Sequence, residues 1–224
     1  MEIRTVDKLV RELSNELSWR TKEISHLRVE AKAKNGSLKD TILRSGVAIT
    51  YCHWEGFIKI ATELFLNYLN YQKILISDLQ LVYVTHAMKK EIHSFSETKS
   101  VDACITFLNA LFVRQSSVAE IKHENYVDTQ SNLSSTVFDN IAKSIGIDTT
   151  PYKDYYPYID ENIVNARNDI AHGQKLMIDE KVFDQLADKV SNLLRMYKDD
   201  IENIVALKSY LLVSHQKVEP SNTQ

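Results

Sequence analysis

The run Asn165-Ala166-Arg167-Asn168-Asp169-Ile170-Ala171-His172-Gly173 gathers side chains suited to phosphodiester chemistry. Arginine keeps its charge at any physiological pH and presents a planar fork of donors that matches phosphate oxygens. Imidazole takes up and gives back protons near neutrality. On a helix at about 100° per residue, Arg167 and His172 lie about 140° apart around the axis. Asn168 and His172, four apart, are surface neighbours. Gly173 predicts that the helix ends at His172, where the negative end of the helix dipole favours a protonated ring. An arginine to hold phosphate and a histidine to move a proton make a minimal phosphodiester-cleaving pair. The same residues have a plainer use. Arg167 and His172 also complement a helix C-terminus, and Asn168 also serves as an ordinary surface residue.

The elements that must carry this run are helical. Ile159, Ile163, Ala166 and Ile170 form the inward stripe of a helix over about 158–172. Val164, Ala171 and Asn168 lie further round and predict a second, partly apolar face suited to a second copy of the same helix. Ile3, Val6, Val10, Leu13, Leu17, Ile24, Leu27 and Ala31 predict one long amphipathic helix, with Arg20 as a polar interruption. Lys34-Asn35-Gly36-Ser37 ends it, and Ser37 is the expected cap of the next helix. That helix spans about 38–70 on Val47, Tyr51, Trp54, Ile58, Ala61, Phe65 and Leu69. Further helices are expected over about 78–93, 101–114 (Val101, Cys104, Leu108, Leu111 and Phe112 inward), 136–145 and 180–213. Gly146 is the expected cap of the 136–145 helix, with Ile147 folding back on Ile141 or Ala142. In the last helix Val182, Leu186, Val190, Leu193, Tyr197, Ile201 and Ile204 keep an eleven-residue repeat. Gln115–Ser135 reads as a long polar connection with room for a short helix. Tyr152–Tyr158 reads as an aromatic loop whose tyrosines either stack on bases or close the core.

Composition narrows the class. The 224 residues carry 27 Lys and Arg against 30 Asp and Glu, a net charge of −3, with 44% hydrophobic residues. These values are those of a globular chain. Five glycines and three prolines are too few for a many-stranded sandwich or barrel. The mild acidity gives no global footprint for nucleic acid, so RNA binding needs a local basic patch or a groove between subunits. Cys52 and Cys104 predict buried thiols rather than a disulfide or zinc framework. Neither a signal-peptide core nor about 18 consecutive apolar residues occurs, so a cytoplasmic protein without a membrane span is expected. The expectation is one all-α domain over 1–215 and a polar, disordered tail over 216–224.

The extended string at a helix end resembles the HEPN superfamily (higher eukaryotes and prokaryotes nucleotide-binding domains). Arg167–His172 matches its Arg-x4-His signature, Asn168 is the polar type common in its ribonuclease members, and Ile170-Ala171-His172-Gly173 looks like the usual continuation. His53-Trp54-Glu55-Gly56-Phe57-Ile58-Lys59 resembles a segment of one bacterial branch. The resemblance implies an elongated antiparallel helical bundle that dimerises through the motif helix. It implies a homodimer with a composite site and metal-independent, cofactor-free RNA cleavage, the ribose 2′-hydroxyl attacking its own phosphate. His172 would then be general base or acid, Arg167 would stabilise the phosphoryl oxygens, and Asn168 would orient His172 or the RNA. DNA, lacking the 2′-hydroxyl, is no substrate. The setting implied is a toxin or phage-defence system with a cognate antitoxin or defence protein as partner. HEPN toxins silenced by nucleotidyl transfer carry a tyrosine two residues beyond the histidine. Here Gln174 stands there, which argues against that regulation.

Other residues carry less. Glu55 is a candidate carboxylate for orienting Arg167, though the plainer reading of Trp54-Glu55 is core packing plus a partner for a buried polar group. Lys175 and Lys89-Lys90 are candidates for charge beside an RNA groove, and equally plain solvated lysines. His86 and His93 lack a third ligand at metal spacing, His123-Glu124 lacks an HExxH partner, and no phosphate-binding glycine loop occurs. Two functions of different class remain: an RNA-cleaving enzyme, or a non-catalytic helical module that dimerises or binds a partner protein or nucleotide. An RNA-binding regulator without cleavage is a third.

Overall fold

The computed structural model describes residues 2–97, 100–124, 126–130 and 132–212. The tail expected over 216–224 lies outside them. Three long helices make the frame: α1 (Val6–Ala33), α2 (Gly36–Tyr71) and α9 (Glu180–Ala206). Between α2 and α9 come α3 (Leu81–Ala87), α4 (Lys89–Glu97), α5 (Val101–Arg114) and α6 (Ser135–Ser144), then α7 (Tyr156–Tyr158) and α8 (Asn165–Ala171). The fold is all-α; among the described residues the only β pairing is two isolated bridges.

A two-residue turn joins α1 to α2 and makes them antiparallel. Ile3 N–H donates to Asn67 Oδ1 at 2.8 Å, which ties the start of the chain to the far end of α2. Near the other end Arg28 of α1 meets Asp184 at 2.8 Å, and Lys39 of α2 meets Glu180 at 2.7 Å. Thr62 and Tyr197 share a hydrogen bond of 2.6 Å further along, so α9 runs parallel to α2 and antiparallel to α1. Phe183 lies against Gly46, where a Cβ would come within 2.6 Å of the ring, so this crossing needs glycine. The expected stripe of α2 is buried throughout. Arg20 is buried as well, pairing with Glu16 and covering Trp19. It therefore continues the α1 stripe rather than interrupting it. No helix among the described residues is long and apolar enough to cross a membrane.

Several expectations are corrected. Ser37 does not cap α2; Asn35 is the cap residue and Gly36 takes φ +61°. The helix expected over 78–93 is two helices that meet at Met88. Tyr83, Val84 and His86 draw α3 into the core, whereas α4 buries nothing. On α5, Val101, Leu108 and Phe112 are exposed rather than inward, because the side of α5 toward α4 carries Ala103, Phe107 and Ala110. Cys52 is exposed and Cys104 half-buried, not buried thiols, since Cys52 falls on the strip that α2 leaves to solvent. Val182 is likewise exposed, and α9 stops at Ala206, short of the expected 213.

Up to Ser135, which opens α6, the 115–135 connection holds no helix among its described residues, yet it is pinned along α2. Ile121 N–H donates to Asn70 Oδ1 (3.0 Å), Tyr126 N–H to Glu63 Oε1 (3.0 Å), and Leu133 N–H to the Tyr51 hydroxyl (2.8 Å). Trp54 Nε1 donates back to the Leu133 carbonyl. Side chains of α2 thus satisfy backbone groups that a helix would have paired internally. The Tyr152–Tyr158 stretch is not a loop but a 3-10 turn (Thr150–Tyr155) running into α7. Its tyrosines close the core: Tyr152 donates to Asp200 and Tyr156 to Asp139, both at 2.6 Å.

Candidate functional site

From α7 the chain passes through a π-helical turn, Ile159–Val164, before α8 begins. Asn165 N–H reaches back five residues to the Asp160 carbonyl. The wider turn shifts the register of the helix that follows. Val164 consequently joins Ile159 and Ile163 in the core, while Ala166 and Ile170 are half-buried. This corrects the expected second apolar face. That face loses Val164 to the core and keeps Ala171 and His172 exposed with Asn168 half-buried. The Asp160 carboxylate accepts from Ser135 N–H (2.8 Å) and Ser135 Oγ (2.5 Å), which fixes the π turn to the start of α6.

Arg167 lies on α2. Its guanidinium carbon sits 4.1 Å from the centre of the Tyr51 ring, Nη2 is 3.9 Å from Glu55 Oε2, and Nη1 donates to Asn168 Oδ1 at 2.9 Å. A cation over an aromatic face contributes about 0.5–2 kcal/mol, more as the pair is desolvated. Both charged side chains of the Arg167–Glu55 pair are largely covered, yet the separation is long for a charge-assisted bond. Glu55 is held on its other oxygen by the Thr129 hydroxyl. Tyr51 is itself fixed as acceptor of Leu133 N–H, and burial pushes its phenol above the usual range, so it stays protonated. The guanidinium plane is set by three residues of two distant segments.

His172 occupies the C-cap. Its N–H donates to the Asn168 carbonyl at 2.9 Å and its ring is exposed. Gly173 follows at φ +79°; its N–H donates to the Ile170 carbonyl (3.1 Å), and Gln174 N–H to that of Asp169 (2.9 Å). This is a Schellman closure, for which glycine is the favoured residue. Arg44 Nη2 donates to the Gln174 carbonyl at 2.7 Å and anchors the turn to α2. As α8 runs from Arg167 to this turn, its partners on α2 run back from Glu55 and Tyr51 to Arg44, so the two helices are antiparallel.

The structure therefore brings Arg167, Asn168 and Glu55 together and sets His172 at the end of the same helix. Lys175 is exposed beyond the turn. Lys89 lies elsewhere, 3.7 Å over the Tyr126 ring, and with Lys90 and His93 lines a separate cavity of about 470 Å³. Both ring nitrogens of His86 are taken, Nδ1 by Tyr126 Oη (2.9 Å) and Nε2 by the Ser144 carbonyl (2.6 Å). Tyr51 and Arg44 were not singled out from the sequence as site residues. The signal for Tyr51 was its place one turn before Glu55 on the same face of α2; Arg44 gave none.

The chain matches the family model HEPN_MAE_28990-like HEPN over residues 9–210. It belongs to the HEPN superfamily. The match runs from within α1 past the end of α9, so Arg167 on α8 and His172 at its C-cap lie inside a HEPN domain. No curated protein and no solved structure gives a significant match to this HEPN chain.

Proposed function

We propose that this HEPN chain is an endoribonuclease that works without a metal ion. The 2′-hydroxyl of the RNA attacks the adjacent phosphorus, the P–O5′ bond breaks, and a 2′,3′-cyclic phosphate and a 5′-hydroxyl remain. His172 takes the 2′-hydroxyl proton or gives one to the departing 5′ oxygen. Arg167 stabilises the charge that builds on the phosphoryl oxygens, and Asn168 keeps its side chain in place. The acting form is a homodimer in which two motif helices line one RNA groove. The biological role is that of a toxin or phage-defence effector in the cytoplasm, held in check by a partner protein.

The observation that supports this reading is the seating of Arg167 on Tyr51. A ring against the face of the guanidinium fixes its plane, and catalysis by a cation depends on such orientation before the reaction begins. The same contact favours a second reading, a non-catalytic module in which Arg167 only ties α8 to α2.

Incubating the protein with single-stranded RNA in excess EDTA separates the two. Cyclic-phosphate ends that disappear in both Arg167→Ala and His172→Ala support the nuclease. Intact RNA, with variants that still fold, supports the module. Cleavage unchanged in both variants removes the site assignment.

A further inference from the structure

The largest mismatch between apolar character and burial lies on α5. No residue of this 14-residue helix is fully buried, although its sequence, VDACITFLNALFVR, is the most apolar stretch outside the core. Val101 is 73% exposed, Ile105 51%, Leu108 48% and Phe112 67%, with Val113 beside them at 77%. The first four are spaced 4, 3 and 4, which is the d-a-d-a seam of a two-heptad coiled coil.

The seam is separate from the surface that α5 uses within its own chain. Ala103, Phe107, Ala110 and Arg114, also spaced 4, 3 and 4, face α4. Phe107 stacks on Phe95 with ring centres 5.3 Å apart, and Arg114 pairs with Glu91 at 2.6 Å. At about 100° per residue the two stripes point about 160° apart. The side toward α4 is satisfied, and the opposite side is left as a continuous apolar strip.

We propose that this strip is a dimer interface in which α5 packs antiparallel against α5 of a second copy. Three features favour a second copy of this chain as the occupant. The seam is self-complementary: a two-fold axis between Ile105 and Leu108 sets Val101 against Phe112 and Ile105 against Leu108. Each layer then pairs a β-branched side chain with an unlike one, Val101 with the larger Phe112 and Ile105 with Leu108, whereas a parallel pair would stack Phe112 on Phe112 and leave Val101 facing Val101. The flank is compatible, because the axis brings Asp102 beside Asn109 of the other copy with no like charges opposed. The area reaches the low end of specific interfaces: these side chains present on the order of 500 Å² per copy, so complete cover in a pair buries about 1,000 Å². A helix of two heptads is marginal as a free coiled coil, but α4 already holds this one, so little ordering opposes association.

The interface lies on a different helix from Arg167 and His172 and stands whether or not the protein cleaves RNA. It is read from the mass of the full chain by analytical ultracentrifugation. Ile105→Glu/Leu108→Glu halves the mass of the wild-type particle, whether or not the motif helices also pair, and leaves thermal unfolding cooperative. Val29→Glu, an exposed apolar position on α1, leaves the mass unchanged. A wild-type particle that sediments as the 25.8 kDa monomer, or a double variant with undiminished mass, overturns the proposal. Orientation is read by cross-linking with Cys52 and Cys104 replaced by serine. Val101→Cys/Phe112→Cys forms an oxidised dimer. Ready dimer formation by Val101→Cys alone overturns the antiparallel arrangement.

Discussion

Tyr51 has two duties that substitution can separate. Its ring carries the Arg167 guanidinium, and its hydroxyl accepts the N–H of Leu133, which is buried. Tyr51→Phe keeps the ring and leaves that N–H without an acceptor. The expected loss is about 1–3 kcal/mol of stability with RNA cleavage retained, measured by urea unfolding and a cleavage assay on the same preparation. Tyr51→Leu removes the ring as well, and cleavage is expected to fall as in Arg167→Ala. If Tyr51→Leu cleaves as well as Tyr51→Phe, the ring does not orient the arginine. Arg167→Lys is a harsh change on this view, because an ammonium has no plane to lay on the ring. At this scale Arg167, Asn168 and His172 were legible because side-chain type and spacing suffice to name them. Arg44 and Tyr51 were not, because what they contact is set by how α8 folds back onto α2.

Helices α1, α2, α6 and α9 announce themselves through long apolar periodicity, and the cap of α6 follows the expected residue. Gly146 closes α6, and Ile147 N–H returns to the Ala142 carbonyl at 3.1 Å. The π turn before α8 left no mark in the periodicity, since one added residue resembles ordinary scatter in a short stripe. The 115–135 connection was opaque for another reason: its backbone partners are side chains fifty to eighty residues away. The end of α8 offers a clean test of an element boundary. An alanine Cβ at Gly173 would meet nothing within 4 Å, so Gly173→Ala strains only the backbone at φ +79°. The expected loss is about 1 kcal/mol, a few degrees in melting temperature for a chain of this size. Gly36, at φ +61° and equally open, is the matched control. Both alanine variants should lose similar stability, and only Gly173→Ala should lose cleavage, because it disturbs the turn that places His172. Equal activity in the two variants would detach His172 from the chemistry.

Across the whole molecule, folding buries two imidazoles that prefer to be neutral. His86 is held below the ordinary imidazole range first by burial and then by Lys89, against the pull of its hydrogen bond to Ser144. His53 is lowered by burial and by the Arg20 charge, while Glu23, 2.8 Å away, opposes the shift. Above about pH 6.5 both rings are neutral, folded or unfolded, and the fold pays no penalty. As pH falls through that value the unfolded chain takes up protons first, so stability drops until the folded rings titrate as well. Asp139 acts in a separate window. Hydrogen bonds from Lys143, Tyr156 and Thr149 hold its carboxyl at about 2, down from 3.8. Its contribution is complete above about pH 4 and is lost as pH falls toward 2. Melting temperature against pH is therefore expected to fall in two steps, one below about pH 6.5 and one below about pH 4. Asp139→Asn should flatten the lower step and leave the upper one intact. A profile that is level from pH 8 to 5 would mean that His86 and His53 bind protons as readily folded as unfolded, against the burial that lowers both.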